Sequence, residues 1–167
     1  MFRDATWEVG VEVSFSIWGE RGRIDVLAFH RPTGTLAVVE VKSVVPDSQE
    51  AIGVLDVKVR LAPQIARNRG WHPASVARIL VIGDSPTARR RVDELGETYG
   101  SAFPVRGRDV GPWIRNPSFG PISGLMFLSY GTGGVIRRPP TGRQRVRRPS
   151  AGSRGPRRGR NDTAGGL

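Results

Sequence analysis

From Trp7 to Trp18 apolar and polar positions alternate, with Val9, Val11, Val13, Phe15 and Ile17 set against Glu8, Glu12, Ser14, Ser16 and Trp18. A period of two is that of a strand with one buried face, so this segment reads as one long β-strand. Gly19 to Gly22 reads as a turn and Arg23 to Phe29 as a second strand. His30-Arg31-Pro32-Thr33-Gly34 then places Pro and Gly where a tight connection wants them. The next apolar run, Thr35 to Val39, passes directly into Glu40-Val41-Lys42. Three antiparallel strands in a meander are predicted.

Turn lengths set the register. With Arg31 to Gly34 as the second loop, His30 pairs with Thr35, and Asp25 falls directly opposite Glu40. Glu40 and Lys42, two apart, share that face. With Gly19 to Gly22 as the first loop, Ser16 lies beside Asp25 and Ser14 beside Leu27. Opposed carboxylates on a sheet repel by on the order of 0.2–1 kcal/mol unless a cation neutralises them. That conflict is the chemical clue in the chain.

Beyond Pro46-Asp47 the period changes to that of a helix, with Ser48 as its N-cap and Ile52, Leu55, Val59 and Leu61 or Ala62 facing the sheet. Pro63 is expected to kink or break it, giving a composite helix or a helix pair that ends at Gly70. Val76 to Gly83 is a dense β-branched run, as in a strand covered on both faces and parallel to its neighbour after a helical crossover. Ser85 caps a further helix with Pro86 at its first position; Arg89-Arg90-Arg91 lie on its solvated side, and Val92 and Leu95 turn inward. Ala102 to Val105 reads as a short strand and Asp109 to Ile114 as a short helix, while Leu125 to Ser129 fits either state. The sum is an α/β domain over 1–130, a mixed sheet flanked by helices, followed by a disordered tail over 131–167 rich in Gly, Pro, Ser and Arg.

Composition narrows the chemistry. The chain of 167 residues suits a single domain, and it has no cysteine, which removes disulfides, thiolate metal sites and a cysteine nucleophile. With His30 and His72 as the only histidines, any metal is held by oxygen. The formal charge is +11, but ten arginines against one acid, Asp162, lie from Arg137 onward, so +9 of it belongs to the tail. The preceding residues are close to neutral, and non-specific polyanion binding is expected of the tail. Scattered Trp7, Trp18, Trp71 and Trp113 read as core or rim residues, not as base-stacking platforms. No apolar run is long enough for a membrane span and the N-terminus has no signal pattern, so a cytoplasmic protein is expected.

Gly22-Arg23-Ile24-Asp25 and Glu40-Val41-Lys42, with the element order around them, resemble the PD-(D/E)XK nuclease superfamily over roughly residues 7 to 100. The resemblance implies a restriction-endonuclease-like fold, Asp25 and Glu40 as ligands of magnesium or manganese, and Lys42 as the amine that assists the attacking water. A backbone carbonyl, that of Val41, completes such an ion's shell. Ser14 and Ser16 hydrogen-bond the ligands from behind, and Glu12 or Glu8 substitutes for a Glu that many superfamily members carry on a preceding helix. Gln64 lies where some members carry a helical Gln.

More narrowly, Trp7 through Ser43 resembles a nuclease-like domain at the C-terminal end of some bacterial helix-turn-helix regulators. That likeness raises a longer protein of which this chain is a part. Lys58, Arg60 and Arg67, together with Arg69, are candidates to track a DNA backbone. The expected function is magnesium-dependent cleavage of DNA phosphodiester bonds, with DNA as partner, no membrane, and a second copy of the chain as a candidate partner. The alternative is a nuclease-like module without catalysis that serves DNA binding or transcriptional regulation.

Overall fold

The computed structural model describes residues 1–2, 6–117 and 120–129, all within one compact unit spanning Met1–Thr132. The disordered tail expected over 131–167 lies outside the described residues. Six strands form one mixed sheet: β1 (Trp7–Ile17), β2 (Glu20–His30), β3 (Thr35–Lys42), β4 (Ser75–Gly83), β5 (Val105–Arg106) and β6 (Ser123–Leu128), in the spatial order β1-β2-β3-β4-β6-β5. The first three form the antiparallel meander; β3, β4, β6 and β5 are mutually parallel. The apolar run at 125–128, whose state the sequence left open, is the inserted strand β6.

Helices cover both faces. On one side lie α1 (Ser48–Arg67), α2 (Pro86–Glu94) and α3 (Gly96–Ala102), burying Leu55, Leu61, Ile65, Val92 and Tyr99 against Ile24, Leu27, Val38 and Leu80. On the other, α4 (Gly107–Arg115) packs Val110, Trp113 and Ile114 against Ala28, Val39, Ile79 and Val81. Ile79 and Leu80 are both fully buried, as expected of a strand covered twice. Trp7, Trp71 and Trp113 are buried and each indole N–H finds an acceptor, whereas Trp18 is 79% exposed at a hairpin tip.

The β2–β3 register agrees with expectation, with His30 opposite Thr35 and Val26 opposite Val39. The β1–β2 register does not. Its loop is two residues, Trp18 and Gly19, with φ of 50° and 83°, the left-handed pair a tight type I′ hairpin requires. Ser16 therefore pairs with Arg21, and Ser14 with Arg23, so neither lies beside Asp25 or Leu27.

Other boundaries differ as well: Ala102, expected to open a short strand, ends α3, and the strand is Val105–Arg106. Asp47, not Ser48, caps α1, accepting from the N–H groups of Gln49 and Glu50, while Ser48 is buried. The helix also runs unbroken through Pro63 to Arg67. An interior proline costs about 3 kcal/mol, but burial of Leu61 and Ile65 on the same turns contributes roughly 1.5–3 kcal/mol each. Packing therefore outweighs the missing N–H.

Candidate active site

Two strands change face at one level of the sheet. In β2, Ile24 joins the core beneath α1, whereas Val26 packs with the layer on the opposite side. In β1, Trp7 belongs to the α4 layer, whereas Val13 and Ile17 belong to the α1 layer. The register puts Glu12 and Asp25 at the crossover, between the pairs Val11–Val26 and Val13–Ile24. Glu12 has φ of 53°, a conformation uncommon for a side-chain-bearing residue in a strand. Its carboxylate turns to Arg23 Nε at 2.6 Å, half-exposed.

Asp25 stands one step past Val26–Val39, the last rung shared with β3. Its Oδ2 accepts from the backbone N–H of Val41 at 2.7 Å. A side-chain carboxylate thus continues the ladder where the two strands part, which fixes the partly buried Asp25 against the Glu40-Val41-Lys42 segment.

Glu40 is 3% exposed on the α1 side of the sheet. An unpaired carboxylate there costs several kcal/mol, and the chain answers it twice. Lys42 Nζ donates to Oε1 at 2.9 Å, and Lys58 Nζ, from the middle of α1, donates to Oε2. These are the only two lysines among 26 basic residues. Both end on one carboxylate. Lys58, expected to face DNA, is instead buried, because it lies three residues after Leu55 and four before Ala62, on the apolar stripe of the helix.

Lys42 is the half that reaches solvent. The hydrogen bond to Glu40 holds its ammonium above the ordinary lysine value; desolvation opposes this, and the charges of Glu40, Asp25 and Glu50 reinforce it. Glu50 was not anticipated from sequence. It stands in the first turn of α1, and the short link from β3 to α1 brings it beside Lys42, where the two residues line one small cavity of about 150 Å³ with Pro46, Ala51 and Val54. Tyr99 Oη donates to the carbonyl of Pro46 at 3.3 Å and braces that link.

The remaining candidates are dispersed. Ser14 and Ser16 are exposed, alternating with the inward Val13, Phe15 and Ile17, and do not support the acids. Arg60 is exposed and pairs with Glu20 at 2.6 Å. Arg67 is exposed at the last turn of α1, and Arg69 lies over the Trp71 ring at 5.2 Å. Asp25, Glu40, Val41 and Lys42 are therefore brought together, and Glu12 stands across from Asp25 with its side chain turned away. Among the described residues no cluster of three or more acidic or imidazole side chains is arranged to share one ion.

No family model, no curated protein and no solved structure matches the chain.

Proposed function

We propose that this domain hydrolyses DNA phosphodiester bonds with the help of a divalent cation, magnesium or manganese, through Asp25, Glu40 and Lys42. One observation carries the reading: in a chain that otherwise draws its positive charge from arginine, both lysines converge on a buried Glu40 next to Asp25. A lysine brings a compact point charge on a flexible stem, which fits two cations around one carboxylate where the wider planar fork of arginine needs more room.

The donor set suits such an ion, since carboxylate oxygens are the hard ligands that magnesium takes. Asp25 and Glu40 would hold it, Asp25 being the more accessible of the two. When bound, such an ion neutralises phosphate oxygens and acidifies a water. Lys42 then acts as a donor. An ammonium held above its ordinary value accepts no proton near neutral pH, so its contribution is to place positive charge on the phosphate oxygens as negative charge grows there. Glu40 aims that ammonium, and the Val41 N–H fixes the carboxylate of Asp25.

Lys58 favours a second reading, a nuclease-like module that binds DNA without cutting. Its ammonium and that of Lys42 already balance Glu40, which leaves that carboxylate little net charge to attract an ion.

The two readings separate in a cleavage assay on duplex, branched and single-stranded DNA with magnesium or manganese. The catalytic reading expects cleavage that falls by about a hundredfold or more in Lys42→Ala and in Asp25→Asn. DNA retained without turnover supports the second reading, and cleavage untouched by either substitution overturns the first.

A further inference from the structure

At the far end of the sheet from β1, two arginines have no ion-pair partner among the described residues. β5 is two residues long and pairs only with Gly124 and Leu125 of β6. Beyond its end, between α2 and the start of α4, opens a cavity of about 410 Å³ at the carboxyl ends of β5 and β6. That volume is within the range of small-molecule sites, and in parallel α/β sheets ligands bind outside the carboxyl ends of the strands. Val92 and Leu125, both almost fully buried, form its floor, and Met126 and Phe127 line its wall.

Three arginines line the same cavity: Arg89, Arg106 and Arg108. Arg89 is already engaged, donating through Nε and a terminal nitrogen to Asp84 at 2.8 and 3.0 Å, with its guanidinium 4.6 Å from the centre of the Phe127 ring. Arg106 and Arg108 have no acidic partner within salt-bridge distance among the described residues, and Asp93 is the one acid on the lining. No side chain caps the first turn of α4 beside them, which leaves backbone N–H groups directed to the same end.

We propose that this cavity binds an organic phosphate of nucleotide size. Its phosphate is held by the two free guanidiniums of Arg106 and Arg108, and its flat body lies against Phe127, Met126 and Leu125. Planar forks match phosphate oxygens in pairs. An apolar floor beside them favours a ligand with a ring over a bare anion. The source is a free mononucleotide or the terminal nucleotide of a strand, and the site is separate from the Asp25–Glu40–Lys42 cluster, so it stands whether or not that cluster cuts.

The chain has two methionines, Met1 and Met126, so methyl-labelled methionine gives two NMR signals, one of them inside the cavity. Titrating the full chain with an adenine mononucleotide is expected to move the Met126 methyl saturably and leave Met1 in place. In Arg106→Gln/Arg108→Gln the dissociation constant is expected to rise at least about tenfold, with the unliganded Met126 signal unchanged as the check on folding. Arg108→Gln alone, at an exposed position, gives a smaller rise in the same direction. A Met126 signal that never responds, or an affinity equal in wild type and double variant, overturns the site. Orthophosphate binding as tightly as the mononucleotide overturns the organic half of the proposal. A 5′-phosphorylated oligonucleotide completes the comparison: tighter binding than the mononucleotide, with Met126 still moving, supports a strand end as the source, and weaker binding supports the free nucleotide.

Discussion

Glu40 and the arginines at the β5 edge show two ways in which this fold treats charge. At Glu40 the charge is buried, so the sequence supplies two ammoniums from separate elements to meet it. Around Arg106 and Arg108 the charge faces an open cavity with Asp93 on its lining, and among the described residues no acid lies within salt-bridge distance. Desolvation is the difference: a buried ion forfeits several kcal/mol of hydration unless a partner compensates, whereas a wet one forfeits little. Matched charge therefore reports mainly on stability, and unmatched charge on what can still be bound. Lys42 stands between the two, bonded to Glu40 yet open to solvent, which is why it is the functional candidate and Lys58 the structural one.

The largest test of this contrast is Lys58→Met. Breaking one half of a buried ion pair is expected to destabilise by roughly 3–5 kcal/mol, read as a lowered urea midpoint, and the pair Lys58→Met with Glu40→Leu should recover much of it. A loss below about 1 kcal/mol in the single variant would mean that Lys42 alone suffices for Glu40. Next is Asp25→Ala, which strips the Val41 N–H of its acceptor where β2 and β3 part. An unsatisfied donor of this kind costs about 1–3 kcal/mol, and Asp25→Asn, which keeps an oxygen there, should restore most of the loss.

Lys42 gives the third, through pH. Its folded value lies above the unfolded one, so its contribution is fully present below about pH 10.5 and is lost as pH rises through the folded value. The urea midpoint is expected to show no Lys42-dependent loss up to about pH 10.5 and to fall as pH rises beyond it, and Lys42→Met should lessen that fall. The smallest expected effect is at the other end. Arg106→Gln/Arg108→Gln should change stability by no more than about 0.5 kcal/mol, as surface substitutions do, while weakening the organic phosphate. A large destabilisation there would show that these arginines hold the fold together, and the contrast would fail.

Much of the framework was legible because it is local. Alternation located β1, the Pro32–Gly34 turn set the β2–β3 register, and that register alone put Asp25 beside the Glu40 segment. The spacing of Glu40 and Lys42 put them on one face, where they bond. The first hairpin is not legible, because Gly19 to Gly22 looks like a four-residue turn, while Trp18, an unusual residue for positive φ, closes a shorter one. The burial of Lys58 has a signal in the sequence, since Ala51, Leu55, Lys58 and Ala62 are one stripe at helical spacing, but a lysine's type points to solvent.

The sequence by itself determined the strands of the meander, the helix between β3 and β4, and which residues near Lys42 have chemistry to offer, since turn residues and side-chain period act within a few positions. Tertiary structure alone decided that α1 continues past Pro63, that β6 slips in between β4 and β5, and that Lys58 meets Glu40. Each of those outcomes is a contest between a local cost and burial gained from residues distant in the chain. Such a balance is struck only once the layers have packed.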